Sequence, residues 1–136
     1  MKWSRIIVGA VAAFAGSMLI TAGIVAVYAF KLGAQAQGAP DPDKIREFAQ
    51  HVGPTWGPLL LPCVTVLAAF WVARRATVLP VRHALFMGIL TALMGIAISL
   101  PLDLRDMLTV VGALVAAFIG GQAGAAWRRR KVSDAR

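Results

Sequence analysis

The sequence predicts an all-α fold: a four-helix transmembrane bundle with a short amphipathic interfacial helix in the first outer loop. Three observations predict it. Of 136 residues, 59% are hydrophobic and only 15% charged, against about 45–50% and about 25% in an ordinary soluble domain. Four stretches carry no Asp, Glu, Lys or Arg: Ile6–Phe30, Thr55–Ala73, Ala84–Leu102 and Met107–Trp127. Trp3, Trp56, Trp71, Trp127 and Tyr28 all stand near the ends of these stretches, at the headgroup level that amphipathic rings favour.

Each stretch reaches the length of about 17–25 residues needed to cross about 30 Å of hydrocarbon. Four such helices leave too little polar surface for a water-facing exterior. Backbone groups in lipid must pair internally, so only helices and closed barrels span. The runs are continuous and do not alternate apolar with polar, which selects helices. The length fits one domain, an integral membrane domain over 1–136.

The first stretch, 6–30, opens with Lys2 and Arg5 and is followed by Ala34–Gln35–Ala36. A signal-peptide core runs about 7–15 apolar residues; this one is longer, so a retained helix is expected. The connection after it contains a flexible Gly33–Gly38 segment. Asp41–Pro42 then reads as a helix start, with Asp as N-cap and Pro at the first helical position. Ile45, Phe48, Ala49 and Val52 follow at helical spacing, and Gly53–Pro54 is expected to end the helix. This predicts an amphipathic helix over 42–52 lying on the outer interface with its apolar side down.

In the second span, 55–73, Pro62 removes a backbone bond and is expected to bend the helix. A bend beside Gly57 and Cys63 would open a small outward cavity. Cys63 is the single cysteine; it excludes a disulfide framework and is expected to be a buried small apolar residue. The third and fourth spans, 84–102 and 107–127, are joined by a tight turn over Pro101–Asp106. Asp103, Arg105 and Asp106 there are expected to pair locally or with the outer helix, and His83 is expected at the interface.

Charge sets the orientation. Four spans put both termini on one side, which holds Lys2, Arg5, Arg74, Arg75, Arg82, Arg128, Arg129, Arg130, Lys131 and Arg136. The other side holds Lys31, Lys44, Arg46 and Arg105, with Asp41, Asp43, Glu47, Asp103 and Asp106. The positive-inside rule then places both termini in the cytoplasm, in a plasma (inner) membrane of prokaryotic type. The net charge of +8 is accounted for without nucleic acid, whose recognition needs base-stacking or groove-reading elements that this chain lacks. The expected partner is the bilayer, whose anionic headgroups the tail from Trp127 to Lys131 can touch.

No ionisable group falls in the central parts of the spans, so proton relays, cation-coupled carriers and voltage sensors are not expected. The first span lacks the embedded glutamate of a small multidrug exporter, and a lone cysteine cannot form the pair of a membrane thiol oxidoreductase. Ser17, Thr21, Thr65, Thr91, Ser99 and Thr109 can each return a hydrogen bond to their own helix. Asp43, Glu47 and His51 step by four and share a helix face, the candidate metal-ligating set. Carboxylate plus imidazole is workable metal chemistry, but a solvated acidic face is the ordinary reading of so few ligands. No catalytic set and no cofactor motif is recognisable.

In the fourth span Gly112, Ala116, Gly120 and Gly124 step by four, beside a row of Ala113, Ala117, Gly121 and Ala125. At 100° per residue the rows form one band of small side chains, which lets another helix approach closely. The band serves either packing within the bundle or contact with a second copy or another membrane protein. The functional expectation is a non-catalytic accessory or scaffold component of a membrane assembly. The competing expectation is an oligomeric channel or facilitative carrier for a small neutral solute, for which the Ser and Thr rows would supply the polar lining.

Overall fold

A computed structural model describes residues 3–76, 78–98 and 103–133. These form four helices: α1 Trp3–Ala36, α2 Pro42–Arg75, α3 Pro80–Ile98 and α4 Leu104–Ser133. All four are long and apolar enough to cross a membrane, and no strand occurs among the described residues. The end of the third predicted span, with Ser99 and Pro101, lies outside the described residues, as do Lys2 and Arg136.

Each terminus of the helices has a local cause. The Asp41 side chain accepts from the Asp43 amide at 3.0 Å, with Pro42 next to it as the first helical residue, as the sequence predicts. At the start of α4 the Asp103 carboxylate accepts from the Leu104 amide at 2.6 Å. The Asp106 carboxylate reaches back to the Asp103 amide at 3.0 Å. The two acids of this turn therefore satisfy amides left open at a helix start. α1 runs past the expected flexible segment to Ala36. It closes where Gln37 turns to φ 51° and the Gly38 amide donates to the Gly33 carbonyl at 3.4 Å, a Schellman-type ending.

The predicted interfacial helix over 42–52 is not a separate element. It is the first third of α2, which passes through Gly53–Pro54 without a break and contains Pro54, Pro58 and Pro62 in its interior. A proline ring clashes chiefly with the Cβ and N–H of the residue before it. Gly53 precedes Pro54 and Gly57 precedes Pro58, so that clash loses its Cβ half at two of the three sites. The apolar face of this segment turns to α1 instead of lying on a bilayer surface. Val52 is buried, and the Phe48 ring stacks on Tyr28 with centroids 3.9 Å apart and planes 15° from parallel. At about 1.5 Å per residue, α1 and α2, 34 residues each, are about 51 Å long and overhang the bundle together.

The helices alternate in direction. α4 lies along α2 and α3, and α1 lies along the same two; among the described residues α1 and α4 do not touch. α2 and α3 also meet, across the short diagonal of a rhombus. The core lies toward one end, where Ile6, Ala10, Ala69, Val72, Ala73, Ala84, Met87 and Ala117 pack together. Seven of the basic residues collect at that end: Arg5, Arg74, Arg75, Arg82, Arg128, Arg129 and Arg130. Arg5 Nη1 donates to the Arg75 carbonyl at 2.6 Å, and Arg128 Nη1 donates to the Ala76 carbonyl. Guanidinium groups from α1 and α4 thus close the negative end of the α2 dipole. Arg74 and Arg75 lie over the rings of Trp127 and Trp71, with 4.9 and 4.7 Å to the centroids.

The small-residue band of α4 is consumed within the chain. A Cβ added at Gly120 would strike the Val66 carbonyl oxygen and come within 2.9 Å of Ala69 Cβ. One at Gly124 would come within 2.6 Å of the Phe70 carbonyl oxygen. One at Gly121 would come within 2.8 Å of Ala84, and Gly112 faces Pro62. Ala116 is buried beside them. One row meets α2 and the other α3, so the contact with a partner expected as an alternative for this face has no free surface there. Val111, Val115 and Phe118 point the other way and are exposed.

The exterior is apolar. Leu19, Phe30, Leu59 and Leu67 are 63–80% exposed. Cys63, expected to be buried, is exposed on α2, because the inner face of that helix is taken by Leu61 and Thr65 on either side of it. The accessible surface is 8918 Å², against roughly 6,800 Å² for a soluble monomer of this mass. The excess reflects four long rods and an open cleft between them.

Gly120→Leu is expected to destabilise the fold by about 3 kcal/mol or more, because backbone of α2 must move to admit it. Gly23, which has nothing within 4 Å of its missing Cβ, should accept Ala with a gain of up to about 1 kcal/mol from helix propensity. Thermal unfolding of both variants in detergent checks the contrast.

Candidate binding cavity

Half of the bundle is close-packed and half is not, and the glycines map the boundary. At the arginine end Gly9, Gly88, Gly120, Gly121 and Gly124 have no room for a Cβ, whereas Gly57 and Gly95 have nothing within 4 Å. Both open glycines line a cavity of about 820 Å³ that all four helices border. α1 contributes Phe14, Ser17 and Thr21; α2 contributes Pro54, Pro58 and Leu61; α3 contributes Ala92, Gly95 and Ile96; α4 contributes Thr109 and Val110. Asp103, Arg105 and Asp106 reach it at the start of α4, so the rim belongs to the mixed-charge end. A cavity does lie beside Gly57, as expected, but Cys63 is not on its lining. It involves the whole bundle, with Pro54 and Pro58 on its wall.

The wall is apolar with a few hydroxyl groups. Ser17 Oγ donates to the Phe14 carbonyl at 2.8 Å, Thr21 Oγ1 to Ser17 at 3.0 Å and Thr109 Oγ1 to Arg105 at 2.8 Å. Deeper in the bundle Thr65 and Thr91 do the same to Leu61 and Met87 at 2.7 and 3.0 Å. This is the return bond expected of these residues in an apolar helix. No buried polar side-chain atom is left without a partner among the described residues. His83 is mostly buried at the arginine end, with Nδ1 3.1 Å from the Leu79 carbonyl, far from the cavity.

A second, shallower groove of about 610 Å³ lies on the overhang between Tyr28, Lys44, Glu47, Phe48, His51 and Trp56. Here the candidate metal residues come into view. Glu47 and His51 border the groove, while Asp43 lies 3.9 Å from Arg46. Both members of that ion pair are exposed, so it contributes at most about 1 kcal/mol. Among the described residues no three His, Cys, Asp or Glu side chains form a group that could hold a metal ion. The helical spacing puts Asp43, Glu47 and His51 on one face, but about 6 Å of rise separates each from the next.

The cavity offers shape, apolar contact and hydrogen-bond acceptors. Its described lining residues include no nucleophile with a base and orienting group. Sequence reasoning found the prolines and the hydroxyl rows singly; their convergence needed the register of four helices, which no local pattern encodes. Compared with known protein families, with curated proteins and with solved structures, the chain matches none of them.

Gly95→Leu should place its side chain in the cavity without a clash and replace a helical glycine. The expected result is a protein more stable by about 1 kcal/mol, read as a higher unfolding temperature, opposite in sign to the change at Gly120.

Proposed function

We propose that this chain is a non-catalytic integral membrane protein that holds a small, largely apolar molecule in a cavity opening on the non-cytoplasmic side. The four helices cross the bilayer, with both termini and the arginine end in the cytoplasm, following the positive-inside rule. The observation that carries the reading is the cavity of about 820 Å³ among all four helices, within the range of about 300–1,000 Å³ of ligand sites. Its predominantly apolar wall and few polar groups are the usual make-up of such sites. The accessory role in a membrane assembly remains part of the proposal, with partners meeting the exposed apolar faces of the helices and not the small-residue band of α4.

A second reading is supported by the same asymmetry. A cavity open at one end and closed by the Ile6–Met87 core at the other has the form of one half of a path. A facilitative carrier for a small neutral solute would have this form in one of its states.

Two measurements test the proposal. Cys63 is exposed on the bundle, near the middle of α2, so lipid alone would shield it. A membrane-impermeant maleimide should leave it unlabelled in intact membranes and label it after denaturation; ready labelling in intact membranes refutes the spanning arrangement. Apolar small molecules screened in nanodiscs should raise the unfolding temperature of the native protein and not of Gly95→Leu. A shift common to both proteins, or none in either, refutes the cavity as the binding site. Solute flux into proteoliposomes would favour the carrier reading over static binding.

A further inference from the structure

We infer that the groove on the overhang of α1 and α2 seats the headgroup of a zwitterionic phospholipid with a primary ammonium. Its phosphate lies on His51 and Thr55 and its ammonium on Glu47. The inference rests on the spanning arrangement proposed above and is independent of the cavity.

Glu47, His51 and Thr55 step by four along α2 and stand in one column, about 6 Å of rise apart. All three are exposed and all three border the groove of about 610 Å³. Among the described residues none of their side chains has a hydrogen-bond or ion-pair partner. Thr55 differs in this from Thr21, Thr65, Thr91 and Thr109, whose hydroxyls each donate to their own helix. Asp43 continues the column, but it lies 3.9 Å from Arg46 and is not on the lining.

The column has an order. Thr55 and Trp56 open the charge-free stretch of α2, so they stand at the hydrocarbon boundary. Trp56 is 50% exposed there, as an interfacial indole is. His51 stands about one turn farther out and Glu47 about two. From the boundary outward the groove presents two donors, the Thr55 hydroxyl and a His51 ring N–H, and then a carboxylate. A phospholipid runs in the same order: glycerol, phosphate, and an ammonium two carbons beyond. Lys44, the remaining charged residue on the lining, has Asp41 of its own helix 3.9 Å away.

Other headgroups match less of this pattern. An anionic one leaves the Glu47 carboxylate without a cation. A quaternary ammonium has no N–H for that carboxylate and is held by aromatic faces instead. Tyr28 and Phe48 turn a face each to the other, with centroids 3.9 Å apart, and Trp56 is about 13.5 Å of rise from Glu47. A water-soluble headgroup would forgo the apolar end of the groove at Trp56.

In the test, the full chain in detergent is offered dioleoyl phosphatidylethanolamine, phosphatidylcholine and phosphatidylglycerol in equal amounts. The retained lipid is read by native mass spectrometry. The ethanolamine lipid should be retained about tenfold over either of the others, the worth of one charge-assisted hydrogen bond. Glu47→Gln should remove that preference over the choline lipid, and Asp43→Asn should keep it. His51→Ala with Thr55→Val should lower retention of all three lipids about tenfold. These side chains are exposed, so the variants should unfold at the native temperature. Equal retention of the three lipids overturns the inference, as does stronger retention of the glycerol lipid. Loss of the preference in Asp43→Asn, or undiminished retention in the double variant, overturns it too. Displacement of the lipid by an equal amount of water-soluble glycerophosphoethanolamine overturns the lipid as the occupant. The preference should persist in Gly95→Leu, which fills the cavity; its loss there overturns the groove as the site. Maleimide labelling of Cys63 reads the spanning arrangement separately, so the failure of one is distinguishable from the failure of the other.

Discussion

The distance at which α2 and α4 can approach governs the rest of this structure. Two glycines, Gly120 and Gly124, sit against the carbonyl oxygens of Val66 and Phe70 with no space for a methyl group. Lipid offers no hydrophobic drive for helices to associate, so dispersion contacts between backbones at close range must hold them. Once α2 and α4 are joined there, Gly121 and Ala117 bring in α3, and Gly9 brings α1 against Val72 and Met87. The arginine end is thereby closed. One turn and more toward the other end, the residue of α2 that faces α4 is Pro62, and beyond it come Pro58 and Pro54. A proline ring is broader than the Ala69 and Ala73 side chains that meet α4 in the closed half, and the cavity with Pro58 and Pro54 on its wall lies beyond Pro62. Glycine on α4 and proline on α2 thus divide one bundle into a zipped half and an open half.

How much of this could be read from the sequence follows from which forces are local. The spans were legible because charge is excluded from hydrocarbon residue by residue. The cap at Asp41 was legible because its side chain satisfies an open amide only two residues on; the cap at Asp103 was missed, because the acids of that turn were expected to pair with charge. The close-packed band on α4 was legible as a pattern, since Gly112, Ala116, Gly120 and Gly124 share a face whatever they touch. What they touch was not legible, because an intramolecular neighbour and a second copy require the same small residues. The continuity of α2 through Gly53–Pro54 was misread for a related reason. Glycine before proline signals a stop in a water-exposed helix, but the glycine also removes the clash that would make the stop necessary. Burial of Val52 and stacking of Phe48 on Tyr28, both tertiary, favour continuation.

The two ends of the bundle handle charge differently. At the zipped end the guanidinium groups of Arg5 and Arg128 close the last carbonyls of α2, and those of Arg74 and Arg75 lie on indole rings. These contacts use the positive charge without an acid, and none of the described residues at that end is acidic. At the open end acids and bases are mixed, and the carboxylates of Asp41, Asp103 and Asp106 are occupied in capping. The difference in charge between the two ends is therefore also a division of labour. Cations finish helix C-termini at one end, and anions start helices at the other.

The cavity of about 820 Å³ is open at one end, so water or lipid tails can enter it. In a bilayer an acyl chain would match its apolar wall as well as any ligand does. Apolar contact alone therefore cannot select a ligand, because lipid is present at far higher concentration and makes the same contacts. Selection has to come from a group that acyl chains lack. The hydroxyl oxygens of Ser17, Thr21 and Thr109 on the wall are such groups.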